Sequence, residues 1–263
     1  MIIDVHTHIG PFGESVGRSA EELIASMDDA GIDISLVIAS YFGKQKRGLA
    51  IKQLIDEAGR FTKLKVIGNF DYESMGDKQI SYLGELIKNK LIVGIKCYCG
   101  YEHYYPNDEK LYPLYRLCSD HNIPIIYHTG FILPGSQGLL KYSHPLNIDE
   151  VATVFPALKI IIAHFGNPWI ADCAAVVAKN KNVYADISGQ FTNSQSISKE
   201  EEADFIKDIL TFKSLSDSCK IMFGTDWWFY SQKEYLRVTR NLPVSKEEND
   251  LILWKNAKNI FNL

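Results

Sequence analysis

Ile2-Ile3-Asp4-Val5-His6-Thr7-His8 sets the reading of the whole chain. It is a short apolar run, rich in β-branched residues, that ends in two histidines. Seven more runs share this form, at residues 35–39, 65–70, 92–98, 124–128, 159–164, 182–187 and 220–225. Each is apolar on both faces and closed by a polar residue or glycine, which is how a parallel strand buried on both sides reads. Strand ends fall near residues 6, 39, 70, 96, 128, 164, 187 and 225. The mean step is about 31 residues, the length of one βα unit. Helical patterns lie between the runs. Ser19-Ala20-Glu21-Glu22 has capping-box spacing, Leu23, Ile24, Met27 and Ala30 follow as a buried stripe, and Gly31 stands where a C-cap belongs. Further helices are expected at 47–59, 77–89, 108–121, 147–155, 169–179, 199–213 and 232–240, and a last one near 246–261 would seal a barrel. Alternating strands and helices give a parallel sheet, and eight units permit closure into a (β/α)8 TIM barrel rather than a doubly wound open sheet. With no linker, repeat or low-complexity tract, one domain over 1–263 is expected.

Composition narrows the class. The 263 residues are 46% hydrophobic and 23% charged, which excludes disorder and rods. The net charge of −4 argues against a nucleic-acid footprint. No apolar run approaches the roughly 18–20 residues of a membrane helix. The N-terminus lacks the basic start and cleavage site of a signal peptide. Five cysteines in a chain this long fit free thiols better than a disulfide framework, so the expected compartment is the cytoplasm. No Gly-x-Gly-x-x-Gly or P-loop points to a nucleotide.

Active sites of such barrels lie at the C-terminal ends of the strands. Residues there are His6 and His8 on the first strand, Lys96 on the fourth, His128 on the fifth, His164 on the sixth and Asp226 after the eighth. His6 and His8 are two apart, so on a strand they share a face and can converge on one ion. Imidazoles plus a carboxylate with an open position form a catalytic zinc pattern, and iron(II) or manganese fit by ligand type. Asp4 shares the parity of His6 and His8, so it too is expected to point inward, paired there or supporting the ligands. Asp186, near the end of the seventh strand, is open to the same two readings. If Lys96 points inward, Cys97 and Cys99 face the helices and serve packing. His121, at a helix C-terminus, reads as structural; His103 and His144, in loops, could face a substrate. The aromatic stretches Tyr98-Cys99-Gly100-Tyr101-Glu102-His103-Tyr104-Tyr105 and Trp227-Trp228-Phe229-Tyr230 suit a planar or apolar small molecule at the barrel mouth, with Tyr98 and Trp227 as candidate contacts. They equally suit a homodimer interface. Lys44, Lys46 and Arg47 read as a solvated cluster that could attract an anion.

The chain resembles the amidohydrolase superfamily of metal-dependent TIM-barrel enzymes, within the amidohydrolase 2 branch that includes aminocarboxymuconate-semialdehyde decarboxylase. The first strand carries the resemblance together with Tyr127-His128-Thr129-Gly130, Ala163-His164-Phe165-Gly166-Asn167-Pro168-Trp169, Phe223-Gly224-Thr225-Asp226-Trp227 and the tail Asn256-Ala257-Lys258-Asn259-Ile260-Phe261. Position by position, it implies His6, His8, His128 and Asp226 as metal ligands. It implies His164 as the residue that orients or polarises the reacting group, or that binds a second ion in two-metal members. Lys96 is open to three readings: a cation that holds a substrate carboxylate, a carboxylated bridge between two ions, or a lysine at the barrel rim. The first is adopted, with one zinc per chain and two only if Lys96 is carboxylated.

The expected activity is hydrolysis of an amide, lactone or ester in a small carboxylated molecule. Asp226 would serve as general base, and His164 would stabilise the developing oxyanion or aid proton transfer. The alternative is non-oxidative decarboxylation of an aromatic or unsaturated carboxylic acid at the same site. A non-catalytic binding barrel is disfavoured because every expected ligand position is filled. A metal-dependent deoxyribonuclease is disfavoured because such relatives place an acid where this chain has Lys96.

Overall fold

A computed structural model describes residues 1–12, 15–42, 45–46, 48–192 and 196–263. Eight strands form one parallel sheet in chain order: β1 Ile3–Thr7, β2 Ile34–Ile38, β3 Leu64–Asn69, β4 Gly94–Cys97, β5 Ile125–Tyr127, β6 Ile160–Ile162, β7 Val183–Asp186 and β8 Ile221–Met222. The ends of this sheet meet. Val5 N–H donates to Phe223 O (3.0 Å), Asp226 N–H to His6 O (2.8 Å) and His8 N–H to Trp227 O (2.6 Å). The molecule is therefore a (β/α)8 barrel.

The strands sort their side chains by parity. Ile3, Val5, Leu36, Ile38, Ile67, Ile126, Ile161 and Met222 fill the interior, and Ala257, Ile260 and Phe261 of the last helix pack against them from below. The opposite parity, including Ile95, Cys97, Ile125, Tyr127, Ile160 and Ile162, packs outward in the layer shared with the helices. Lys96 falls on the inner face between two outward residues, and Cys97 and Cys99 lie in the helix layer as expected. No disulfide forms among the five cysteines.

Helices stand at each expected place: α1 Ala20–Ala30, α2 Ile51–Ala58, α3 Asp77–Lys88, α4 Tyr112–Asp120, α5 Asn147–Val154, α6 Ile170–Lys179, α7 Lys199–Leu215 and α8 Gln232–Arg240. The Ser19–Glu22 capping box is formed, and Gly31 takes the left-handed C-cap at φ 76°. His121 is the C-cap residue of α4. The terminal helical segment is continuous but changes pitch midway. Lys246–Asp250 passes through a π-helical turn, Leu251–Lys255, into Asn256–Phe261. Ile252 O accepts the Phe223 N–H from this turn at 2.8 Å, so the segment also ties down the strand it seals. No helix among the described residues is long and apolar enough to cross a membrane. Lys44 and Arg47 lie outside the described residues, so the basic cluster after β2 is not placed.

One expectation about β1 is corrected. Asp4 pairs with Ser35 in register, but Thr7 pairs with Val37, so β1 carries one extra residue. Such a bulge shifts side-chain parity along a strand. Before it, Ile3 and Val5 point inward and Asp4 points to the helix layer; after it, His6 and His8 point inward. The Asp4 carboxylate accepts hydrogen bonds from Thr225 N (3.0 Å), Thr225 Oγ1 (2.6 Å) and Gln232 Nε2 (2.8 Å). It therefore braces the β1–β8 seam from outside.

Candidate active site

Strands β6 and β8 are shorter than the sequence suggests, because the chain turns out of the ladder where the site begins. His164 (φ 59°), Phe165 (φ 55°) and Asp226 (φ 63°) are all left-handed, a conformation uncommon outside glycine. Local bonds hold this strained backbone in place. His164 N–H donates to Asp186 Oδ1 (3.1 Å), and His164 O accepts Gln190 Nε2 (2.8 Å) and Asn167 N–H (2.9 Å). The Asp226 N–H is spent on the barrel seam. The turns carry both side chains into the mouth of the barrel.

There they meet the β1 histidines. Asp226 Oδ1 lies 3.2 Å from His8 Nε2 and 3.7 Å from His6 Nε2. Ligand atoms of His6, His8 and Asp226 fall within 4.8 Å of one another. Two imidazole nitrogens and one carboxylate oxygen on one point suit a zinc-like ion. Three buried imidazoles, His6, His164 and His128, are held toward the neutral form such an ion needs. Burial, helped by the Lys96 charge, lowers the pKa of His6. Burial, then His6 and Lys96, brings His164 down to about 3. Burial, then His164 and Lys96, takes His128 well below its ordinary value. Burial alone would raise the Asp226 carboxyl, but the His8 hydrogen bond, foremost among the opposing contacts, holds it below its ordinary value.

His164 and His128 continue the cluster. Their ring centroids are 4.9 Å apart, and His164 is 4.7 Å from His6. His128 shares the cavity but belongs to neither compact ligand set, and its Nε2 is 2.9 Å from Phe131 O. With that N–H donated to the carbonyl, Nδ1 keeps the lone pair. The second set joins His6, His164 and Asp186.

Lys96 is 1% exposed, with Nζ 3.3 Å from His6 Nε2 and 5.6 Å from the centre of the Tyr98 ring. Burial brings its pKa down to about 8, against the pull of Asp186 and Asp226. A lysine at a barrel rim does not describe this residue. The cavity above has a volume of about 120 Å³, and Tyr98, Tyr101, Leu133, Phe229 and Tyr230 line it beside the histidines.

Trp227 is placed differently from its expected role. Its backbone closes the barrel and its indole is buried in the helix layer, because Asp226 takes the inward position and the next residue must turn out. Phe229 and Tyr230 of the same loop supply the aromatic wall instead. His103 contacts Gln137 O (2.8 Å), and His144 leans on Trp169 with ring centroids 4.4 Å apart. Sequence reasoning passed over Ser188, whose Oγ is 3.0 Å from both His6 Nδ1 and His164 Nδ1. Its signal was the Asp186-Ile187-Ser188 spacing, which repeats the one-face logic of His6 and His8. Gly189 follows at φ 67°, and a Cβ there would stand 3.0 Å from His164 Nδ1.

Fold and site together define a TIM barrel with a histidine–aspartate cluster at the C-terminal ends of its strands. A family model described as amidohydrolase matches residues 3–263, and the chain belongs to that family. A search of curated protein sequences finds no match. Among solved structures, an uncharacterized TIM-barrel protein from Bordetella bronchiseptica is 20% identical, with TM-score 0.78 over 99% of this chain and 98% of that one. A probable 2-pyrone-4,6-dicarboxylic acid hydrolase from Acinetobacter baumannii, with citric acid bound, is 14% identical, with TM-score 0.76 over 100% and 99%. The 5-carboxyvanillate decarboxylase of Sphingomonas paucimobilis is 11% identical, with TM-score 0.74 over 100% and 99%. A zinc-bound amidohydrolase from Burkholderia multivorans is 14% identical, with TM-score 0.77 over 100% and 99%. At these identities the likeness is one of fold.

Proposed function

We propose that this protein is a zinc-dependent hydrolase of a small, planar, carboxylated molecule, cleaving an amide, ester or lactone. The observation that carries the reading is the convergence of His6, His8 and Asp226 at the floor of an aromatic cavity, beside a buried lysine. These three residues would hold the ion, with His128 as the neighbouring fourth donor. When bound, a divalent cation there supplies Lewis acidity toward a carbonyl oxygen and acidifies water. Asp226 accepts the proton of the attacking water, and His164 takes part in its onward transfer. Lys96 holds the substrate carboxylate, while Tyr98, Tyr101 and Phe229 cover the rest of the molecule and exclude solvent. The hydrolase among the structural relatives, with a dicarboxylic acid in its name, supports this choice.

A second reading, loss of the carboxylate as carbon dioxide, is favoured by one feature. The same cation lies under aromatic side chains, where a carboxylate loses its water. A decarboxylase also stands among the relatives.

Elemental analysis of zinc-loaded protein is expected to find about one ion per chain, since His6, His8 and Asp226 with a neighbouring imidazole fill a single zinc site and the second set, His6, His164 and Asp186, shares His6 with it. Protein that takes up no divalent ion would remove the metal from the reading. Substrate screening should then pair anionic lactones, esters and amides with aromatic carboxylic acids, and release of carbon dioxide would select the second reaction.

Lys96→Met is expected to raise KM roughly 10–100-fold, the loss of one charged hydrogen bond, with metal content near normal. Two ions per chain and a carboxylated Lys96 would overturn both the anion-holding role and the one-metal site.

A further inference from the structure

We propose that Asp186 and Ser188 act together as a tautomer lock on His6 and His164. Each ring is held with its proton on Nδ1, so that a bare Nε2 is left for the cavity. Both locking residues lie at the end of β7, at most 1% exposed.

Asp186 Oδ2 is 3.1 Å from His6 Nδ1. Its Oδ1 accepts the backbone N–H of His164 (3.1 Å) and of Ser188 (3.0 Å). The Ser188 hydroxyl lies 2.5 Å from that same oxygen and 3.0 Å from each histidine Nδ1. A carboxylate only accepts, and a hydroxyl has one hydrogen to give. The shortest contact is that of a hydroxyl donating to a charged oxygen. The hydroxyl hydrogen therefore belongs to Asp186, and Ser188 meets His164 Nδ1 as an acceptor. His164 Nδ1 must carry a proton. His6 Nδ1 faces only the Asp186 carboxylate and the same hydroxyl lone pairs, so it carries one too. A neutral imidazole has one N–H, which leaves both Nε2 atoms bare.

The opposite side of His6 agrees independently. Its Nε2 stands 3.3 Å from Lys96 Nζ, a donor, and 3.7 Å from Asp226 Oδ1, beyond hydrogen-bond reach. For His164 the lock selects one part of the role implied by the resemblance. The ring meets a substrate as a proton acceptor rather than as an N–H donor to an oxyanion. Asp186 and Ser188 are thus positioning residues, acting through the two rings.

Nitrogen-15 NMR of the metal-free protein tests the lock without a substrate. The expected result is Nδ1–H for both His6 and His164; Nε2–H in either overturns the assignment. Two variants test its consequence. In Asp186→Asn the amide can turn its NH₂ toward His6 Nδ1 and draw that ring to Nε2–H, whereas Ser188→Ala frees only His164. Zinc affinity, measured against a competing chelator, is expected to fall about 10–100-fold in Asp186→Asn and to stay within about threefold in Ser188→Ala. Folded Asp186→Asn with unchanged affinity and an unchanged His6 spectrum would refute the lock. The metal readout rests on the proposed cation site, and the spectra do not. Wild-type protein that binds no zinc would sink that site, while its spectrum would still decide the lock. If Asp186→Asn does not fold, the wild-type and Ser188→Ala spectra decide it.

Discussion

Asp226→Asn lowers turnover by roughly 10²–10⁴-fold while the protein keeps its metal, the usual cost of losing a positioned general base. Two features separate turnover from metal content. The backbone fixes residue 226 by its left-handed turn and by the N–H bond to His6 O (2.8 Å), neither of which involves the side-chain charge. Asparagine also keeps a carbonyl oxygen where Oδ1 now sits, 3.2 Å from His8 Nε2. What it lacks is the basicity to accept a proton from water. Turnover of a hydrolysed substrate and metal content should be measured on the same preparation. Near-wild-type turnover with metal retained would take Asp226 out of the base role, and loss of metal would make it chiefly a ligand.

The second large effect is on stability. Asp4→Ala is expected to cost about 3–5 kcal/mol, from two or three stranded donors at roughly 1–3 kcal/mol each. The residue is fully buried and accepts from the Thr225 backbone, the Thr225 hydroxyl and the Gln232 amide. The seam between β1 and β8 has few backbone bonds of its own, and this carboxylate joins it to the start of α8. At about 2–4 °C per kcal/mol for a chain of this size, the melting temperature should drop by roughly 10 °C. Asp4→Asn, which keeps one acceptor, should fall between variant and wild type. A melting temperature within about 2 °C of wild type for Asp4→Ala would show that the seam does not depend on it.

The repeating period of apolar runs and helical stripes was enough to specify a barrel. Buried parallel strands and amphipathic helices each leave their own spacing in a chain, and eight units permit closure into a barrel. The same spacing put His6, His8, Lys96, His128, His164 and Asp226 at strand ends. That Lys96 faces inward and Cys97 outward also follows from alternation along β4. Three things waited for the folded molecule. The bulge in β1 turned Asp4 away from His6 and His8, because one extra residue, invisible in a strand's composition, reverses its parity. The Thr225–Trp227 backbone is spent on closing the barrel, so Trp227 is buried and Phe229 and Tyr230 form the wall. The bonds joining Ser188 to His6 and His164 span 182 and 24 residues, so the spacing from Asp186 could mark Ser188 but not its partners. Local periodicity determined which residues reach the mouth of the barrel. Contacts across the closed sheet decided which of them face one another and which nitrogen of each ring carries the proton.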